Sequence, residues 1–318
     1  MKKSQTRLFS GSMLIYTAIL TLATVSAVYA QAITGRIVGT VQDRNQSAVY
    51  NAKVIITNQG TGISSEVQTD SQGNYIAPSL PSGAYKVTVA VSGFRQAVAS
   101  NVVVNVAQTT RLDLTLEVGN VQEAVEISGG ASIVQSTTSD LGEIVNKRQI
   151  QTLPLNGRIF SQLIQLVPGA VPAGFRAEPE AASTAGARSQ VSASVNGLPW
   201  SGTIYYMDGI ENKETLNAFV SMSPPIEAIE EFKVQTNSAS AEYGAFGGGV
   251  VNLTLRSGTN EYHGALFEYM RNEALNARDF FALSKNPFKT HQFGGVFGGP
   301  IIKNKAFFFG DYQGLRLR

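Results

Sequence analysis

The 318-residue chain has no cysteine and only two histidines, His263 and His291. Without cysteine there is no disulfide framework, so the fold must be held by apolar cores or by burial in a membrane. A zinc site of the Cys/His type is excluded for the same reason, and the two histidines stand far apart in sequence. Charge is sparse, at 15% of residues. Beyond residue 30 no run of about eighteen apolar residues occurs, so no spanning helix is expected there. Any passage through a membrane would have to be made by a β-barrel.

The first thirty residues are of another kind. Lys2, Lys3 and Arg7 form a basic start, Met13–Val25 is an apolar stretch, and Val28-Tyr29-Ala30 ends it with the small residue Ala30 at the cut. This is the layout of a secretory signal peptide cut at Ala30. Taking its three basic residues from the 25 Lys and Arg leaves 22 against 23 acids, a net charge of −1. A near-neutral exported chain offers no electrostatic case for a nucleic-acid partner. Gly is abundant at 31, beside many Thr and Val, which fits a β-rich exported protein better than a helical enzyme.

Residues 31–118 read as a compact all-β domain of about seven short strands with turn clusters between them. Expected strands are Gly35–Gln42, Ala52–Asn58, Ile63–Thr69, Tyr75–Ala77, Ala84–Val91 and Arg111–Val118. The last alternates most clearly, with Leu112, Leu114, Leu116 and Val118 toward a core and Arg111, Asp113, Thr115 and Glu117 toward solvent. Gly39-Thr40-Val41-Gln42-Asp43, Asp70-Ser71-Gln72-Gly73-Asn74-Tyr75, Leu80-Pro81-Ser82-Gly83-Ala84-Tyr85 and Gly93-Phe94 occur in that order. The domain therefore resembles a carboxypeptidase regulatory-like domain, a non-catalytic sandwich of immunoglobulin or transthyretin type. In two of these pieces a turn former stands just ahead of an inward aromatic.

Residues 119–138 form a linker rich in Gly and Ser. It carries one extended piece, Glu123-Ala124-Val125-Glu126-Ile127-Ser128. Residues 139–257 follow with Asn146–Gln151 and Ile159–Leu166 as short helical pieces, and with Leu153-Pro154-Leu155-Asn156-Gly157-Arg158 and Pro168-Gly169. Gly174–Arg188 is expected to be a mobile loop. Val195-Asn196-Gly197, Tyr205-Tyr206-Met207-Asp208-Gly209-Ile210, the helix-to-strand step Pro224–Val234 with Glu227 and Glu230, Ser240-Ala241-Glu242-Tyr243-Gly244 and Gly247-Gly248-Gly249-Val250 complete the series. In this order the pieces resemble the plug of Oar-like TonB-dependent receptors, and residues 258–318 resemble the first strands of the barrel that encloses it.

That resemblance implies a mostly β chain: sandwich, then an α+β plug, then the start of a transmembrane barrel. It implies a place in the outer membrane, with sandwich and plug on the periplasmic side. The implied partners are membrane lipid, a TonB-like energy-coupling protein, and an unknown small or oligomeric ligand taken up actively. Glu123–Ser128 would be the TonB box, a strand added to the coupling protein's sheet; the alternative is that it is the last strand of the sandwich or the first of the plug. A 22-stranded barrel at about 10 residues per strand needs roughly 220 strand residues. Residues 258–318 are expected to be only its beginning, and the chain a piece of a longer product rather than a truncated gene. The rival function is a periplasmic or surface carbohydrate- or protein-binding adhesion module.

No chemistry-bearing constellation emerges. Gly247-Gly248-Gly249 lacks the Lys-Ser/Thr of a phosphate loop and is read as a close-packing or bulge element. Glu227, Glu230 and Glu231, near Lys233, sit at helical spacing and are expected on a solvated face or in plug–barrel ion pairs. Ser189, Ser192 and Ser194 lack a nucleophile frame. No catalytic residue, cofactor or metal site is expected.

Overall fold

The computed structural model describes residues 34–119, 124–128, 141–173, 192–214, 220–244, 247–278, 280–281, 283–285 and 288–317. The leader with Ala30, Glu123, and the stretch Phe175–Arg188 lie outside the described residues.

The first region is a two-sheet sandwich. In one sheet β1 (Gly35–Asp43) pairs antiparallel with β4 (Asn74–Leu80), and on its other side runs parallel to β7 (Thr109–Arg111) and then to β8 (Leu114–Leu116). The other sheet has the order β3 (Ser64–Gln68), β2 (Lys53–Asn58), β5 (Gly83–Ala90), β6 (Gln96–Val104), β9 (Ala124–Ser128). Period-2 alternation sends Ile37, Val41, Val54, Ile56, Tyr85, Val87 and Val89 into one shared core. The two turn-plus-tyrosine pieces have separate physical roles. Asp70 accepts the backbone N–H groups of Gln72 and Asn74, which holds its carboxyl below the usual range, and Gly73 (φ 75°) closes the turn. Buried Tyr75 then donates its hydroxyl to Leu112 O at 2.8 Å, and Tyr85 donates to Pro81 O at 2.7 Å.

Two expectations are corrected here. Arg111–Val118 is not one strand. Asp113 accepts both Thr40 N (2.9 Å) and Thr40 Oγ1 (3.0 Å), so a carboxylate occupies the edge of β1 where the ladder would run. Leu112, Leu114 and Leu116 do enter the core, but the strand has ended before Val118, which is 79% exposed. The sequence reading also gave no strand at Gln96–Val104. Its buried residues are Ala97, Ala99, Val102 and Val104, a pattern that slips phase at Asn101 (φ 57°), beside a register shift against β5.

The second region is built on a mixed sheet of order β10 (Leu141–Asn146), β15 (Ile229–Asn237), β16 (Val250–Leu255), β13 (Ile204–Met207), β14 (Ile210–Glu211). Helix α1 (Lys147–Thr152) starts at Asn146, whose side chain accepts Gln149 N while the Gln149 side chain accepts Asn146 N. Ile159–Leu166, expected to be helical, is a 3-10 segment over Phe160–Leu166. Phe160 sets its ring edge-on to Phe232 at 5.9 Å, and this face of the sheet, with Val234, Val251 and Leu253, makes a second core. A small hairpin of β11 (Ala170–Ala173) and β12 (Ser192–Val195) closes it.

Three long antiparallel strands follow: β17 (His263–Asn272), β18 (Lys289–Ile302) and β19 (Ala306–Leu317). Leu266, Phe293, Phe297 and Tyr312 are exposed on one face, while Phe267, Tyr269 and Val296 turn toward the second region. Rings lie over glycines of the neighbouring strand. A Cβ at Gly314 would stand 2.7 Å from the Phe293 ring, and one at Gly299 would stand 2.3 Å from the Tyr262 ring. The β18–β19 turn is short, whereas β17 and β18 are joined by a long connection. In outer-membrane barrels short turns face the periplasm and long loops the exterior.

Candidate functional site

The three regions meet at three places, and the first two use residues from the series read in the sequence. The first is the turn Asn156-Gly157-Arg158. Gly157 (φ 70°) and Arg158 (φ 58°) adopt left-handed backbone, which aims the Arg158 side chain sideways. Its guanidinium pairs with Glu227 at 2.6 Å, both side chains mostly buried, and lies 3.8 Å from the centre of the Tyr269 ring on β17. Glu230 receives Lys147 at 3.1 Å and Arg256 at 3.7 Å. Above this seat a cavity of about 600 Å³ opens between the 155–161 and 220–224 segments and the β17–β19 face. Arg158, Ser161, Met222, Tyr269, Arg271 and Gln292 are among its lining residues.

The second place corrects the reading of Glu231. Glu227 lies in the middle of the 3-10 turn Ile226–Ala228 while Glu230 and Glu231 lie on a strand, so these two point to opposite faces instead of following helical spacing. Glu231, 6% exposed, accepts the backbone N–H of Val106 in the sandwich. Two residues on, Lys233, 1% exposed, donates Nζ to Ala107 O at 2.7 Å. Burial pushes the Glu231 carboxyl up to about 7; the Val106 N–H opposes that shift and the Glu230 charge adds to it. A charged pair beside a hydrophobic strand carried no local sign of this contact, because the partner backbone stands about 125 positions earlier.

The third place joins the sandwich to the wall strands. Asn260 Nδ2 donates to Thr61 O at 2.8 Å and to Asn304 Oδ1 at 2.7 Å, and its backbone N–H donates to Gly60 O at 2.9 Å. Asn304 stands in the short β18–β19 turn, so the sandwich is fastened to the inner rim. Sequence reasoning did not single out these asparagines.

The remaining plug residues serve the local frame. Asp208 (φ 48°) and Gly209 (φ 85°) make the β13–β14 turn, and Asp208 accepts Leu255 N at 3.0 Å. Desolvation raises the Asp208 carboxyl despite that bond. Tyr243 packs on Tyr206 at 5.6 Å and its carbonyl accepts the Tyr206 hydroxyl; Gly244 (φ 66°) follows. A Cβ at Gly248 would stand 3.1 Å from Gly202, and one at Gly249 2.8 Å from Val195. Of the proposed box, Ala124–Ser128 is not a lone tether. It runs parallel to β6, from Gln96↔Ala124 to Ser100↔Ser128, as the edge strand of the sandwich. Among the described residues no cluster of His, Asp and Glu could hold a metal ion.

A mixed-sheet stopper seated against membrane strands, with a sandwich beneath it, defines the class of outer-membrane receptors with a plugged barrel. Family models match in that order: Carboxypeptidase regulatory-like domain over 36–117, TonB-dependent Receptor Plug Domain over 131–251 and Outer membrane beta barrel domain over 254–318. Together these matches support the N-terminal portion of a TonB-dependent receptor, and they indicate the outer membrane as its place. The TonB-dependent transporter Oar of Myxococcus xanthus is 29% identical over 307 residues, which is 90% of this chain and 27% of the relative. The chain thus spans about a quarter of that relative's length. Among solved structures, the siderophore receptor PirA from Acinetobacter baumannii aligns with 23% identity and a TM-score of 0.38, over 54% of this chain and 24% of its own. These relatives are a transporter and a receptor rather than enzymes.

Proposed function

We propose that the chain is the front portion of a transporter that takes up a ligand across the outer membrane, driven by a TonB-like protein that grips Ala124–Ser128. The observation that carries this reading is the order of strands: the candidate coupling strand β9 is followed, after residues 129–140, by β10, which is the edge strand of the plug sheet. An edge strand is held on one side only, here by Leu141–Asn146 against Asn237–Glu231. Tension delivered through residues 129–140 reaches β10 first and peels it from β15. The rest of the plug stays seated through Arg158 and Glu230. Local opening at a fraction of the global stability is what a gated stopper needs.

The ligand would approach from the side of the long β17–β18 connection, where the cavity beside Arg158 and Tyr269 lies between plug and wall. Its polar and aromatic lining, without a metal cluster among the described residues, suits an organic ligand held by hydrogen bonds and ring contacts.

The test is binding of the purified periplasmic domain of the host's TonB-like protein to the full receptor. Val125→Pro should abolish it, because proline cannot donate to an added strand. Unchanged binding would remove Ala124–Ser128 from the coupling role.

A further inference from the structure

We infer that strand β6 of the sandwich holds Ala124–Ser128 in an off position and competes with the coupling protein for it. This rests on reading that segment as the coupling strand. The segment is already spent as a strand: five consecutive residues pair with Gln96–Ser100, and the sandwich sheet ends on it. The sandwich itself is fastened twice, to the plug through Glu231 and Lys233, and to the inner rim through Asn260 and Asn304. A pull on β9 while it lies on β6 therefore loads the sandwich, and through Thr61 and Asn260 that load passes to the wall. The share that passes through Glu231 and Lys233 enters the interior strand β15 and not the free end of β10. Only after β9 leaves β6 do residues 129–140 carry force to the plug edge.

The hold is built to be reversible. It is a short parallel pair at a sheet edge, and parallel pairing is slightly weaker per residue than antiparallel. The coupling protein offers the same backbone bonds that β6 offers, so exchange costs few hydrogen bonds in total. The sandwich thereby acquires a role its non-catalytic fold does not suggest. It keeps the plug from being loaded until the coupling protein has displaced an internal strand.

These 318 residues hold no cysteine, so within them only an introduced pair can form a disulfide, and any cysteine elsewhere in the receptor is first replaced by serine. Val98 and Glu126 are register partners, and neighbouring strands about 5 Å apart lie within disulfide reach. Val98→Cys with Glu126→Cys, in the full receptor in detergent, is expected to form a disulfide. The oxidised protein should bind the periplasmic domain of the coupling protein at least tenfold more weakly than the same protein after reduction, while the reduced form matches wild type. Equal binding by oxidised and reduced forms overturns the inference, since the partner then adds to the outer edge of β9. Failure of a folded protein to form the disulfide overturns it too. If the pair prevents folding, Ser100→Cys with Ser128→Cys probes the same register two residues on. Absence of binding by wild type and reduced forms alike sinks the coupling reading itself, and this inference with it, a result distinct from the others.

Discussion

Replacing Glu231 with glutamine should free the sandwich–plug seam from pH. Glu231 is buried against Val106, and burial raises its carboxyl from the ordinary 4.5 to about 7. A raised acid binds its proton more tightly in the docked state than when released. Stability is therefore greatest below the unfolded value and is lost as pH rises through about 7. A rise from 4.5 to about 7 makes the docked state about 3 kcal/mol weaker at pH 8 than at pH 4. Over a body of this size that is on the order of 6–12 °C in Tm. Glutamine keeps an acceptor for the Val106 N–H and cannot ionise. Thermal melts of wild type and Glu231→Gln at pH 5, 6, 7 and 8 should show a falling wild-type Tm and a nearly flat variant, with the variant more stable at pH 8. A wild-type Tm that rises over this window, or two parallel curves, would refute the reasoning.

Arg158→Ala should weaken the seat of the plug by about 3 kcal/mol, because Glu227 is left mostly buried without its cation, and Arg158→Lys should recover only part of it for want of the planar stack on Tyr269; chemical denaturation of the full receptor measures both. Tyr75→Phe should cost about 1–2 kcal/mol by orphaning the buried carbonyl of Leu112, read as a lower denaturation midpoint with unchanged m. Gly62→Ala places a Cβ 2.3 Å from Asn304 Oδ1 at φ 72° and should loosen the sandwich from the rim, seen as faster amide exchange at Asn260 and Asn304 but not at Tyr75. Equal exchange at all three would count against the rim contact.

Local patterns were legible where one rule acted alone. Asp70–Tyr75 and Pro81–Tyr85 read correctly as turns feeding inward aromatics, and Asn146 opened a helix by capping geometry that needs only four residues. Residues 258–318, expected from resemblance to begin a barrel, do contain the three long strands β17–β19. What stayed hidden was set by distant partners. Asn101 shifts the phase of β6, so a periodicity count sees no strand although each half alternates. Asp113 interrupts a clean alternation because Thr40, 73 positions earlier, needs an acceptor. Glu231 looks solvated until the sandwich turn at Val106 is laid over it. The place of Ala124–Ser128 could not be read from six generic residues, since any sheet edge accepts them.

The rings that lie over glycines in the wall tie positions together in heredity as well as in space. Phe293 occupies the room that a side chain at Gly314 would need, and Tyr262 that of Gly299. Enlarging either glycine must displace a ring from its resting place on the neighbouring strand, and shrinking the ring leaves bare backbone facing lipid. Such pairs can change only together, so in any set of descendants the small member and its aromatic cover should be gained and lost as couples, even though they stand on different strands and far apart along the gene.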